Sequence, residues 1–335
     1  MAQHQDFGRH IVDLLTDLGA DLGEYAAAAA LPFGWSQFMA DLDPRKVGGE
    51  LGAAGLAAGR LLFAQRRCFE LGLDADRIDV IMGDTDRTPA GLTGGSRAIA
   101  VAGVALYEAG RTIIGKGSQL AAHLLEVSAQ DIAFADGVFS VPGTDLRIDL
   151  LEVAKAARDP AKLPAGMEPG LDTTHHRVPP AQTFPNGCHI VEVEIDPETG
   201  VVSIERYTVV DDFGRTINPL LLEGQVHGGI VQGIGQALLE QAVYDPESGQ
   251  LLSGSFMDYA MPRAGDIPSF AFSTHNVPST ANPLGVKGAG EAGAVGAPPA
   301  VINAIVDVLH RRVGLRHIDM PATPRRVWEA LNGIH

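Results

Sequence analysis

Gly285-Val286-Lys287-Gly288-Ala289-Gly290-Glu291-Ala292-Gly293-Ala294-Val295-Gly296-Ala297-Pro298-Pro299 runs directly into the apolar stretch Ala300-Val301-Ile302-Asn303-Ala304-Ile305-Val306-Asp307-Val308-Leu309. Five glycines and a single carboxylate fall within twelve residues, and a Pro-Pro pair then precedes a helical pattern. Glycine lets the backbone turn tightly and approach a ligand closely. Proline in a first helical turn loses nothing, because its missing N–H had no partner there. The reading is a glycine-rich loop that opens a helix from Pro299 to Arg312, with unbonded N–H groups suited to an anion. Glu291 is the one acid in that loop, and two roles stay open for it. As a cap it accepts N–H bonds from the helix start; as a base it faces a cavity. Gly288-Ala289-Gly290-Glu291-Ala292-Gly293 also matches GxGxxG in form. No apolar strand leads into it and no acid ends a second strand about 20 residues on, which argues against a dinucleotide-binding fold.

The whole chain of 335 residues is long enough for a sizeable core and roughly two domains. Its net charge of −16 argues against nucleic acid or an anionic membrane as partner. Phosphate must therefore be held by local N–H groups. The two cysteines, Cys68 and Cys188, have no metal-ligand spacing, so no protein metal site is expected. Neither a secretory leader nor an uninterrupted apolar span is visible, and a cytoplasmic protein without a membrane segment is the expectation.

Residues 1–50 form an atypical N-terminal segment around the alanine run at 26–30, and 51–156 read as a first α/β lobe. In that lobe a helix is expected over 52–71, a strand over 78–82, helices over 98–109 and 119–126, and a hairpin turning at Asp136-Gly137. The proline-rich 157–186 is a linker or surface loop, and 187–335 is a second lobe carrying the opening loop. There the alternation predicts strands over 189–195 and 201–210, joined at Asp196-Pro197-Glu198-Thr199-Gly200, and a strand pair around 245–249. The fold class is α+β: two mixed α/β lobes with glycine-rich loops at helix N-termini.

Two further glycine-rich stretches precede apolar helical patterns: Gly94-Gly95-Ser96-Arg97, and Gly224-Gln225-Val226-His227-Gly228-Gly229. Gln225, Gln232 and Gln236 share one helical face if the helix begins early, and buried amides there would need polar partners. His227 reads as a hydrogen-bonded structural residue before a ligand, and His175-His176 as solvated. Asp84 with Asp86, and the tandem Asp211-Asp212, follow strands and read first as turn caps.

These motifs together resemble the molybdenum hydroxylases, the family of xanthine dehydrogenase, aldehyde oxidase and aerobic carbon monoxide dehydrogenase. Gly83-Asp84-Thr85-Asp86 with Gly94-Gly95-Ser96-Arg97 is similar to the GDTD…GSR signature of the large subunit. Val210-Asp211-Asp212-Phe213-Gly214-Arg215-Thr216-Ile217-Asn218-Pro219 and the Gly224–Gly229 stretch are similar to its VDDxGxxxNP and GQ(x)HGG segments. Gly285–Gly293 looks like its GxKGxGExG active-site loop. Four ordered motifs span roughly residues 60–330, the C-terminal half of that subunit. The resemblance implies molybdenum held by the dithiolene of molybdopterin cytosine dinucleotide, with no protein metal ligand. It implies Gly94, Gly95, Ser96, Arg97, Gln225, Gly228, Lys287, Gly288 and Gly290 around that cofactor. Glu291 is then the general base of a hydroxylation that takes its oxygen from water, acting on an aldehyde, an N-heterocycle or a similar small substrate. The implied partners are a chain carrying the N-terminal half, an FAD subunit and a 2Fe-2S subunit. The family's glutamine- and glycine-rich stretch is replaced by Ala57-Ala58-Gly59-Arg60-Leu61-Leu62, and its N-terminal motifs are missing. A split large subunit, active with a partner chain, is one expectation. The alternative is a non-catalytic remnant or assembly subunit that keeps the fold and binds no cofactor alone.

Overall fold

A computed structural model describes residues 94–334, with 71–73, 78, 81, 84 and 86 before them. The helix expected over 52–71 therefore lies outside the described residues except at Leu71, and so does most of the strand expected over 78–82. The described chain divides into two compact units. One holds the residues up to Thr183 with Ser279–Val286; the other holds Phe184–Pro278 and everything from Lys287 onward. The mixed α+β class expected from the sequence is observed.

In the first unit, a π-helical stretch Ile99–Gly103 leads into helix α1, Val104–Leu124. The sequence pattern had suggested two helices here. Gly110, Gly115 and Gly117 lie inside one continuous helix instead, and Gly117 is where the Phe139 ring presses on it: a Cβ there would meet Phe139 Cζ at 2.5 Å. Strands β1 (Ala133–Ala135), β2 (Val138–Ser140) and β3 (Arg147–Asp149) form an antiparallel sheet. The β1–β2 turn is Asp136-Gly137, with φ of 47° and 79°, the left-handed pair a two-residue hairpin requires. Asp149 then caps helix α2 (Leu150–Ala156) by accepting the Glu152 N–H. Leu120, Phe139, Leu150 and Val153 form the core, onto which Leu163, Met167 and Leu171 also pack.

The second unit is built on strands β4 (Asn186–Ile195), β5 (Val202–Asp212) and β6 (Phe270–Thr274). β4 and β5 are antiparallel; β6 pairs parallel to β5, and helix α3 (Pro219–Leu238) lies in the chain between them. Helix α4 (Ala292–Val313) ends at Gly314, whose φ of 77° is the left-handed stop glycine favours. Helix α5 (Pro324–Leu331) follows, capped by Thr323. Around 245–249 the expected strand pair is reduced to one bridge, Tyr244 to Leu251.

Two expectations are corrected here. The stretch Gly224–Gly229 is helix, not loop, and α4 begins at Ala292, so that Pro298 and Pro299 lie inside it. The cause is close packing. Val226, Ile230 and Ile234 on α3, and Ala297, Val301, Ile305 and Leu309 on α4, recur every fourth residue and are buried against Tyr207, Val209 and Phe213 of the sheet. Each fully buried Ile or Leu contributes roughly 1.5–3 kcal/mol. The glycines between them let the backbones touch. A Cβ on Gly293 would stand 2.4 Å from the Val226 carbonyl oxygen, and one on Gly233 would stand 2.7 Å from Pro298 Cδ. Two internal prolines each remove an i→i−4 bond, and this buried seam holds the helix across the gap. α4 is also long and apolar enough to cross a membrane by composition, but its buried side is taken up within this core.

Candidate functional site

The end of β5 organises the opening loop. Neighbouring residues of a strand point to opposite faces, so Asp211 and Asp212, both 2% exposed, serve different surroundings. Asp212 Oδ2 receives the Lys287 ammonium at 2.5 Å and the Asn186 amide at 3.3 Å. Its Oδ1 accepts the N–H of Gly214 at 2.8 Å and that of Val277 at 3.0 Å. That fills the roughly four acceptor positions of a carboxylate. The Gly214 bond is the turn cap expected from sequence; the other three had no sequence signal. Lys287, expected beside a cofactor, thus has its ammonium on Asp212, while its N–H donates to the Phe213 carbonyl at 2.8 Å.

Asp211 faces the helices. Its Oδ1 lies 3.6 Å from His189 Nε2, its Oδ2 is buried without a hydrogen-bond partner, and His189 Nδ1 lies 2.7 Å from the Tyr207 hydroxyl. Burial, with the charge of Asp211 beside it, pushes the Tyr207 hydroxyl above its ordinary range. Burial first and Asp211 second push up the Cys188 thiol as well. The His189 ring lies against α4 at Gly296, where a Cβ would meet its Cε1 and Nε2 at 2.6 Å.

Glu291 is exposed and occupies the N-cap position of α4, with φ −120° and ψ 1°. Its carboxylate makes no cap hydrogen bond, which removes the capping role. Its carbonyl accepts the Val295 N–H at 3.0 Å. The residue before it is fixed from α3, where Gln225 donates its amide N–H to the Gly290 carbonyl at 2.7 Å. Gln225, Gln232 and Gln236 do share one face of α3, and all three are exposed rather than buried. Gly228 lies well inside α3, where its N–H belongs to the helical ladder, so the free loop amide expected there does not exist. Gly288 is buried and Gly290 exposed in the loop itself. His227 stands edge-on to Phe270, with ring centroids 5.2 Å apart, and its Nε2 is buried without a hydrogen-bond partner, so the hydrogen bond expected of it is not made at that atom. His175, expected to be solvated, instead bonds Thr112 Oγ1 at 2.9 Å.

In the other unit, Gly94, Gly95, Ser96 and Arg97 precede the helical residues that begin at Ala98. Gly95 and Ser96 both take left-handed conformations, with φ of 62° and 52°. Arg97 Nε is buried without a protein acceptor. A buried donor with no partner is costly, and an acceptor-rich anionic ligand would satisfy it. Asp84 Oδ1 accepts the Asp86 N–H at 3.1 Å, the turn cap expected of that pair. Among the described residues no group of His, Cys, Asp and Glu has the composition of a metal site.

Residues 60–268 match the molybdopterin cofactor-binding domain. The chain is 39% identical over 272 residues to the carbon monoxide dehydrogenase large chain of Hydrogenophaga pseudoflava, covering 80% of this chain and 33% of that one. It is 41% identical over 267 residues to the nicotine 6-hydroxylase large subunit of Paenarthrobacter nicotinovorans, covering 79% and 32%. Among solved structures, a Cu,Mo-CO dehydrogenase in its carbon monoxide reduced state superposes with a TM-score of 0.78 at 35% identity, covering 85% of this chain and 36% of that one. Quinoline 2-oxidoreductase from Pseudomonas putida 86 superposes at 0.76 and 34% identity, covering 84% and 36%. The chain spans about a third of the length of these relatives. Its ordered motifs, its α+β fold and these matches agree: the chain belongs to the molybdopterin cofactor-binding family of the molybdenum hydroxylase large subunits.

Proposed function

We propose that this chain is the base-bearing part of a molybdenum hydroxylase, working with partner chains to oxidise an aldehyde, an N-heterocycle or a similar small substrate with oxygen from water. The observation that carries the reading is the state of Glu291: it stands at the mouth of α4, uses no oxygen to cap that helix, and is anchored through its neighbours. In this reading a Glu291 carboxylate oxygen accepts the proton released as water-derived oxygen is transferred. The molybdenum–molybdopterin cofactor, when bound, supplies the oxygen-transfer and two-electron chemistry. Arg97 and Ser96, with the backbone of Gly94 and Gly95, are read as holding its anionic groups, and the backbone of Gly288 and Gly290 as cofactor contacts of the Glu291 loop. Lys287 and Gln225 are read as supports of the loop. The cytosine dinucleotide form of the cofactor is part of the proposal. So are a chain supplying the N-terminal half, an FAD subunit, a 2Fe-2S subunit and a cytoplasmic location.

The test is Glu291→Gln in the assembled complex. Turnover should fall by about 100-fold or more while molybdenum and nucleotide contents stay at parental levels. Parental turnover would reject Glu291 as the base. Absence of molybdenum from every complex containing the chain would favour the scaffold reading instead.

A further inference from the structure

We propose that the tandem aspartates act as a two-sided clamp that positions Glu291: Asp212 through Lys287 on one side, and Asp211 through His189 and Tyr207 on the other. The proposal rests on the reading of Glu291 as the base. Lys287 lies four residues before Glu291 and Gly296 five residues after it. The ammonium of the first is held by Asp212, and the backbone of the second lies on the His189 ring. Gln225 holds the carbonyl of Gly290 between them.

A loop this rich in glycine has little stiffness of its own, so the position of its one carboxylate must be imposed from outside. Asp212 can do this because it is saturated: with four donors on two oxygens it has no lone pair left for proton transfer. A buried ion pair is a poor stabiliser compared with apolar residues of the same volume. Fixing the register of the loop is a better account of Lys287 and Asp212 than stability. On the opposite face, His189 is held by the Tyr207 hydroxyl at Nδ1, with Asp211 beside Nε2. Its ring, edge-on to Tyr207 with centroids 5.8 Å apart, becomes a fixed stop beneath the second turn of α4. Any larger residue at position 296 would displace either the ring or the helix.

The experiment uses the assembled, cofactor-loaded complex and two variants. Asp212→Asn with Lys287→Met removes the pair without leaving a buried charge alone; His189→Phe keeps the ring's bulk and loses its polar contacts. Each should lower kcat by about 100-fold, the order of loss that a 1 Å misplacement causes, with KM within about twofold. Independently of catalysis, amide hydrogen exchange in peptides covering 287–296 should accelerate about tenfold or more, with exchange in α3 and the β4–β5 hairpin unchanged. Parental kcat and parental exchange in 287–296 would overturn the clamp. Acceleration spread evenly through the unit, or loss of cofactor, would also overturn it, by making these residues general scaffold. If Glu291→Gln proves active, the base assignment fails while the exchange measurement still decides the clamp.

Discussion

Gly228 and Gly229 are neighbours inside α3, and alanine should stabilise the protein at the first and not at the second. At Gly228 a Cβ meets nothing within 4 Å, and the residue is exposed. Gly228→Ala therefore gains only helix propensity, about 1 kcal/mol. At Gly229 a Cβ stands 2.9 Å from Ala294 N, 3.1 Å from Gly293 Cα and 3.3 Å from Gly293 C. All three are backbone atoms of α4, so no rotamer can yield and the helices must part. The propensity gain is the same at both positions and cancels in the comparison. What remains is the overpacking cost, about 1–3 kcal/mol. In urea unfolding of the purified protein this separates the two midpoints by on the order of 1 M, with unchanged slope. Equal midpoints, or a more stable Gly229→Ala, would refute the backbone contact between α3 and α4.

Burial pushes the Cys188 thiol up; in a Cys68→Ser background it should resist a thiol reagent at neutral pH until the protein unfolds, and stoichiometric labelling of the native protein would contradict the buried position. Cys188 and Tyr207 are both shifted upward, from ordinary values of 9.0 and 10.0. The unfolded chain therefore loses these protons first, so their contribution is intact below pH 9 and declines above it. Tyr207→Phe should flatten part of that alkaline decline in a pH series of denaturation curves, and an unchanged decline would count against it. Asn218 caps α3 by accepting the Leu221 N–H at 3.2 Å; Asn218→Ala should cost about 1 kcal/mol in the same assay, and no loss would show the cap to be replaced by solvent.

Local signals were legible and non-local ones were not. The Asp136-Gly137 turn and the β4–β5 hairpin follow from turn chemistry and alternation over a few residues, and both are present. The glycines of 224–229 read as loop because the same residue serves a turn and a helix–helix contact. The period of Val226, Ile230 and Ile234 carried the answer, and it outweighs the glycines once α4 is there to pack against. Pro298-Pro299 misplaced the start of α4 for the same reason: its first turns are held by α3 rather than by their own sequence. Strand β6 was missed because its pairing with β5 crosses some sixty residues of chain. At the site, Glu291, Lys287 and Gln225 could be named from the motifs, but not what each side chain touches. Gln225 reaches Gly290 65 residues away and Lys287 reaches Asp212 75 away. His189 and Tyr207 gave no signal at all, since one His and one Tyr in a strand are ordinary core residues.

The way α4 begins separates it from its neighbours. Helices α2, α3 and α5 each start with a side chain that accepts a backbone N–H: Asp149, Asn218 and Thr323. Such a cap contributes about 0.5–2 kcal/mol. α4 has a carboxylate at the same position and makes no such bond with it. Glutamate is not among the residues that cap well, whereas aspartate is. The helix forgoes that cap and relies on contacts made by other residues: the Gly293 backbone on Val226, the Gly290 carbonyl on Gln225, the Lys287 ammonium on Asp212. Glu291→Asp tests this directly. If Glu291 serves only the helix, aspartate should restore a cap bond and raise stability without functional loss. If position is what the surrounding contacts preserve, the protein should become more stable and lose turnover together, because the shorter side chain turns back onto the helix it no longer clears.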